Sequence, residues 1–197
     1  PPMAGLFDLF RTTPEKRIAA DLYDRLVDGA RQPALYREGG VADTVDGRFD
    51  LIALHAFLLF HRMSGQPGWQ EIGDRLANHI MKDMDRSLRE MGVGDMSVGK
   101  KMKKLAQAFY GRLDAYWGAL KAEEPGALES VIARNVYRDD ALGEAAHAAS
   151  AARLAGYVRG QIAHLATQPT ADILAGQVRF ADAVPLLASD REEEAAE

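Results

Sequence analysis

The sequence contains no cysteine. Disulfides, thiolate zinc sites and cysteine nucleophiles are therefore excluded, and the chain suits a reducing compartment. Long apolar runs are missing as well. The longest, "LIALHAFLLF" from Leu51 to Phe60, is about half a bilayer span and is interrupted by His55, so it reads as a buried helix. There is no internal repeat and no alternating apolar–polar stretch of useful length, which argues against a solenoid and against a sheet. No signal- or transit-peptide pattern occurs near the N-terminus.

What is present fits one globular domain. Of 197 residues, 47% are hydrophobic and 27% charged, enough to bury a core without covalent staples. The net charge of −5 is unevenly placed. Six acids and one arginine fall between Asp182 and Glu197, so the rest of the chain is neutral overall. Within that neutral body, Met91 to Arg112 carries Lys100, Lys101, Lys103, Lys104 and Arg112 against Asp95 alone. The expected organisation is an N-terminal apolar arm over residues 1–12 (containing "LFDLF"), a helical domain over 13–181 and a flexible acidic tail over 182–197.

The punctuation is helical throughout. Thr12 with Glu15 suits a capping box, Pro14 lies in the first turn, and Ile18, Leu22 and Leu26 recur on one face until Pro33. "ALYREGG" predicts a short helical turn ending at Gly39 and Gly40. Asp46 and Gly47 predict a turn ahead of the central apolar helix. Ile72, Leu76, Ile80, Met84, Leu88 and Met91 then keep helical spacing up to Gly92. Met102, Leu105, Phe109, Leu113 and Tyr116 do the same in the following helix. Further helices are expected over "ALESVIARNVYR", from Gly143 towards Ala166 and at "TADILAGQ", with a short extended piece at "VRFA". The fold class is all-α, a single compact multi-helix domain.

Between the two helices lies "GDMSVGKK", one residue short of a phosphate-binding loop. Such a loop needs a strand before its glycines and a hydroxyl residue after its lysine. Here a helix precedes, and Lys101 stands where the hydroxyl belongs. The stretch reads instead as a helix–turn–helix corner, with Gly92 or Gly94 as left-handed cap and Ser97 capping the next helix. "DTVDGRFD" offers no register for a calcium loop. His79 and Asp83 are four apart on one helical face, but no second pair completes a metal site, so no metal and no cofactor are expected. No nucleophile-elbow pattern is present.

Five of the seven methionines lie between Met81 and Met102. Clustered Met either fills gaps in a core or lines a surface that adapts to varied apolar partners. The lysines at the same corner favour a partner that is greasy and anionic, or close to a membrane.

Two blocks, "ARQPALYREGGVADTVDGRFDLIALHAFLLFHRM" and "KDMDRSLREMGVGDMSVGKKMKKLAQAFYGRLDAYWGAL", resemble the ubiquinol–cytochrome c chaperone family, assembly factors of the cytochrome bc complex (respiratory complex III). The resemblance implies a non-enzymatic, membrane-associated chaperone for newly made cytochrome b in the respiratory chain. It implies a bacterial member working in the cytoplasm, peripheral to the inner membrane. On this reading Met81, Met84, Leu88, Met91, Met96, Met102, Phe109 and Tyr110 meet the client. Asp83, Asp85, Arg86, Arg89 and Glu90 lock the corner or contact the client. Lys100, Lys101, Lys103, Lys104 and Arg112 supply positive charge, and Gly92, Gly94 and Gly99 set the turn. The lysines leave three partners open: acidic client loops, the ribosome near its tunnel exit, or an anionic membrane surface. No DNA partner is expected. The competing function is a ribosome- or RNA-binding adaptor acting through Lys100–Lys104.

Overall fold

In a computed structural model, residues 13–122, 124–138 and 144–194 are described, and every regular element among them is a helix. The first, α1 (Pro14–Ala30), opens at Thr13, whose side-chain oxygen accepts the Lys16 N–H at 3.3 Å. The cap is thus one residue later than the Thr12 box predicted, and Thr12 and the apolar arm lie outside the described residues. Ala19, Leu22, Tyr23, Leu26 and Ala30 form its buried face. A five-residue helix, α2 (Pro33–Arg37), follows, and the chain reverses at Gly40 with φ 72°.

Thr44 starts the central helix α3 (Val45–Met63) by accepting the Gly47 N–H at 3.1 Å. Asp46 and Gly47 therefore belong to the first helical turn, not to a turn ahead of it. The glycine is still required: a Cβ on Gly47 would sit 2.0 Å from the Ala42 carbonyl oxygen. Every residue from Ala53 to Leu59 is buried, which places α3 at the centre with α1, α5, α6 and α7 packed around it. Here α5 is Asp95–Ala122, α6 is Ala127–Val136 and α7 is Glu144–Ala166. The remaining long helix, α4 (Trp69–Glu90), lies on α1 and α5.

The one histidine in the apolar run is a buried hydrogen-bond pivot. His55 Nδ1–H donates to the Leu51 carbonyl at 2.8 Å, and Nε2 accepts from the Tyr157 hydroxyl at 2.7 Å. Burial holds its imidazole down to about 4, so it stays neutral. Arg62 closes the other end of the helix pair. Its guanidinium donates to the carbonyls of Leu165 (2.8 Å), in the last turn of α7, and Gln168 (2.6 Å), just beyond it.

After α8 (Thr170–Leu174) residues 177–182, which include the "VRFA" stretch expected to be extended, are neither helix nor strand. Glutamine side chains act as the missing strand partners. Gln168 bonds both backbone groups of Arg179, at 2.6 and 3.0 Å, and Gln161 bonds both of Ala181, at 2.9 and 3.0 Å. Gln32 spans Ala181 and Ala183. The segment over 182–197, expected to be a flexible acidic tail, contains α9 (Ala183–Glu194). Ala183 and Leu187 are buried, and Leu186 lies over Gly160, where a Cβ would come within 2.6 Å of it. An apolar first turn, "AVPLL", precedes the acids and explains the helix.

Candidate functional site: the α4–α5 corner

Along α4 the buried series Ile72, Leu76, Ile80, Met84 stops at Met84. Along α5, between Gly99 and Ala108, no side chain is buried. The distal turns of both helices thus form a hairpin that touches the core only through half-buried side chains such as Met102 and Leu105. Its base is tied to α1 by Tyr23, whose hydroxyl donates to Asp83 at 2.5 Å and whose ring lies 4.7 Å from that of His79. Burial and the Asp83 carboxylate push that phenol well above its usual range. His79 and Asp83 are in this way engaged with a tyrosine. Among the described residues no three metal-binding side chains converge.

The turn is built by backbone chemistry. Val93 N–H bonds the Leu88 carbonyl and Gly92 N–H bonds that of Arg89, a Schellman closure that needs the left-handed φ of 81° at Gly92. Gly94 then accepts the N–H groups of Ser97 and Val98, opening α5. Two expectations change here. Ser97 sits inside the first turn, its hydroxyl donating back to Gly94, and does not cap the helix. Gly99 is an α5 residue with open space around it, and Gly94 does not have positive φ, so Gly92 is the glycine that the corner requires.

Ion pairs brace the turn from outside. Arg89 holds Asp85 at 2.7 Å and Asp95 at 2.5 Å, joining the last turn of α4 to the first of α5. Arg86 pairs with Asp83 and reaches Glu90 at 4.0 Å.

The predicted client-facing residues divide. Met91 is 52% exposed, Met96 is fully exposed and Tyr110 is 49% exposed. Met81, Leu88 and Met102 are half-buried, with Met81 and Met102 resting on the core. Met84 and Phe109 are buried in the core itself, which removes them from any client surface. Spacing places these two on the inward face but does not say how far along the helices the neighbouring elements extend.

Arg112 is likewise not a surface charge. It is buried, its guanidinium 2.6 Å from Asp50 on α3 and 4.8 Å from the centre of the Phe49 ring. Arg138 reaches the same carboxylate at 2.5 Å. Burial pushes the Asp50 carboxyl up to about 6, against the pull of both guanidiniums. Asp50 and Arg112 come one from each of the two blocks singled out in the sequence, and this contact joins them. An acid inside an otherwise apolar helix is the signal that could have identified it. By contrast, Lys100, Lys101, Lys103 and Lys104 are all exposed, and none has an ion-pair partner among the described residues.

The sequence matches the family model described as ubiquinol-cytochrome C chaperone over residues 37–180. No curated protein matches it. The crystal structure of the Cbp3 homolog from Brucella abortus is similar, with a TM-score of 0.75 at 35% identity, covering 91% of this chain and 98% of that one.

Proposed function

The chain belongs to the ubiquinol–cytochrome c chaperone family, and from that premise we propose that it is a non-enzymatic complex III assembly factor that shelters newly made cytochrome b at the α4–α5 corner. The observation that carries the choice of surface is the pair of outward thioethers, Met91 and Met96, on either side of a turn braced by Arg89. A hydrophobic client released before its partners are present needs contact that is apolar, adaptable and weak enough to release. Unbranched Met side chains supply such contact. A braced turn keeps the two thioethers at a fixed spacing without burying them, and no reactive group is needed.

Photoreactive amino acids at positions 91 and 96 test this in the source cell. Capture of cytochrome b from both positions, with none from position 84, is the expected result. A silent corner, together with normal complex III in a deletion strain, would reject both the surface and the client.

A further inference from the structure

We propose that the outer face of α5 is a peripheral docking surface for an anionic lipid bilayer. The argument begins with spacing. Met96, Lys100, Lys103, Gln107 and Tyr110 follow one another at steps of four, three, four and three, which aligns them along one side of a helix. All five are exposed, while Phe109, Leu113 and Tyr116 occupy the opposite, buried side. Lys104 flanks the stripe, whereas Lys101 is exposed on another side of the helix. From Met96 to Tyr110 there are four lysines and no acid; Asp114, one turn further on, ends the basic run.

The contrast between lysine and arginine at this hairpin sharpens the assignment. Arg86 and Arg89 are consumed by Asp83, Asp85, Glu90 and Asp95, and Arg112 by Asp50. The four ammonium groups are left without partners among the described residues. Site-specific phosphate recognition, as in RNA, favours the planar fork of arginine and stacking aromatics. Lysines on flexible stems suit a diffuse layer of headgroups instead, each adding to attraction at an anionic surface. The ends of the stripe fit the same environment. Met96 can enter the boundary between headgroups and acyl chains, and a half-exposed Tyr110 suits the interface level. None of the described helices is long and apolar enough to cross a membrane, so this contact is one that lies on the surface.

The inference rests on the assembly reading only in that a chaperone of a membrane subunit works where that subunit is inserted; the test contains no client. The full chain is mixed with vesicles of phosphatidylcholine alone or with about a third phosphatidylglycerol, and co-sedimentation is measured at low and at high salt. Binding to the anionic vesicles alone, weakened by salt, is expected. Each lysine removed lowers the partition about fivefold, so Lys100→Gln/Lys103→Gln/Lys104→Gln lowers it about a hundredfold with unchanged circular dichroism. Met96→Asp weakens binding independently. Equal binding to both vesicle types, no binding, or a triple variant that still binds overturns the proposal. So does ribosome co-sedimentation through the same lysines without vesicle binding. A negative vesicle result beside successful cytochrome b capture at positions 91 and 96 rejects this inference alone.

Discussion

Arg89 spans the corner between α4 and α5, gripping Asp85 one turn behind it and Asp95 on the far side of the turn. Such pairs are in water and screened by salt, so they set local order more than global stability. Replacing Arg89 by Ala should leave the urea midpoint of the whole domain unchanged and speed amide exchange over residues 92–98. High salt should reproduce part of that effect in the unmodified protein. A loss of global stability would mean that the corner folds together with the core and does not act as a separately braced element.

Asp50 and His55, five residues apart on α3, make opposite contributions to the pH dependence of stability. The Asp50 carboxyl is raised from the usual 3.8 to about 6, so between these values the folded chain holds a proton that the unfolded chain has released. Its stabilisation is complete below about pH 4 and is lost as pH rises through about 6. The His55 ring is lowered from 6.5 to about 4, so the unfolded chain takes up a proton that the folded chain refuses. That stabilisation is complete above about 6.5 and is lost as pH falls towards 4. Each effect is roughly 3 kcal/mol, and they nearly cancel. Asp50→Asn should therefore make stability rise with pH across this window, and His55→Leu should make it fall. Urea midpoints at pH 4.5 and 6.5 measure both slopes; identical slopes in all three proteins would contradict the assignment.

Two glycines that look alike in sequence should respond in opposite ways to alanine. At Gly47 the new Cβ meets the Ala42 carbonyl oxygen at 2.0 Å, a backbone atom that cannot swing aside, so the start of α3 must move. At Gly99 nothing lies within 4 Å and the backbone is helical, so alanine only reduces the freedom of the unfolded chain. Gly99→Ala should stabilise by about 0.5–1 kcal/mol, whereas Gly47→Ala should destabilise. Thermal melts of the two variants separate the cases.

That contrast also marks what the sequence made legible. The first eight helices, the central place of Leu51–Phe60 and the stop at Gly92 follow from local pattern, because capping and periodicity are local physics. Whether Gly99 belongs to the turn or to the helix is a shift of a few residues that spacing alone does not resolve. The burial of Met84 and Phe109 depends on which helices pack against α4 and α5. The contact of Asp50 with Arg112, and of Gln161 with Ala181, joins residues distant along the chain. Such pairings depend on packing, and no local window contains both partners. The start of the acidic C-terminal segment is a related case: charge count alone does not reveal the apolar turn at Val184–Leu187 with which α9 begins.

The methionines of the hairpin provide the test that links structure to assembly. Met84 is buried, so Met84→Ala should cost about 2–5 kcal/mol by leaving a cavity. Met96 touches only solvent, and Met96→Ala should fall within about 0.5 kcal/mol of the parent. A double Met91→Asp/Met96→Asp variant should therefore fold as the parent does while placing two carboxylates where an apolar client segment must lie. Complex III content in cells, read from the cytochrome b absorbance of isolated membranes, should drop in that variant at unchanged chaperone abundance. If assembly fails only in Met84 variants whose abundance has collapsed, and the double aspartate supports normal complex III, the outward thioethers are not what the client touches.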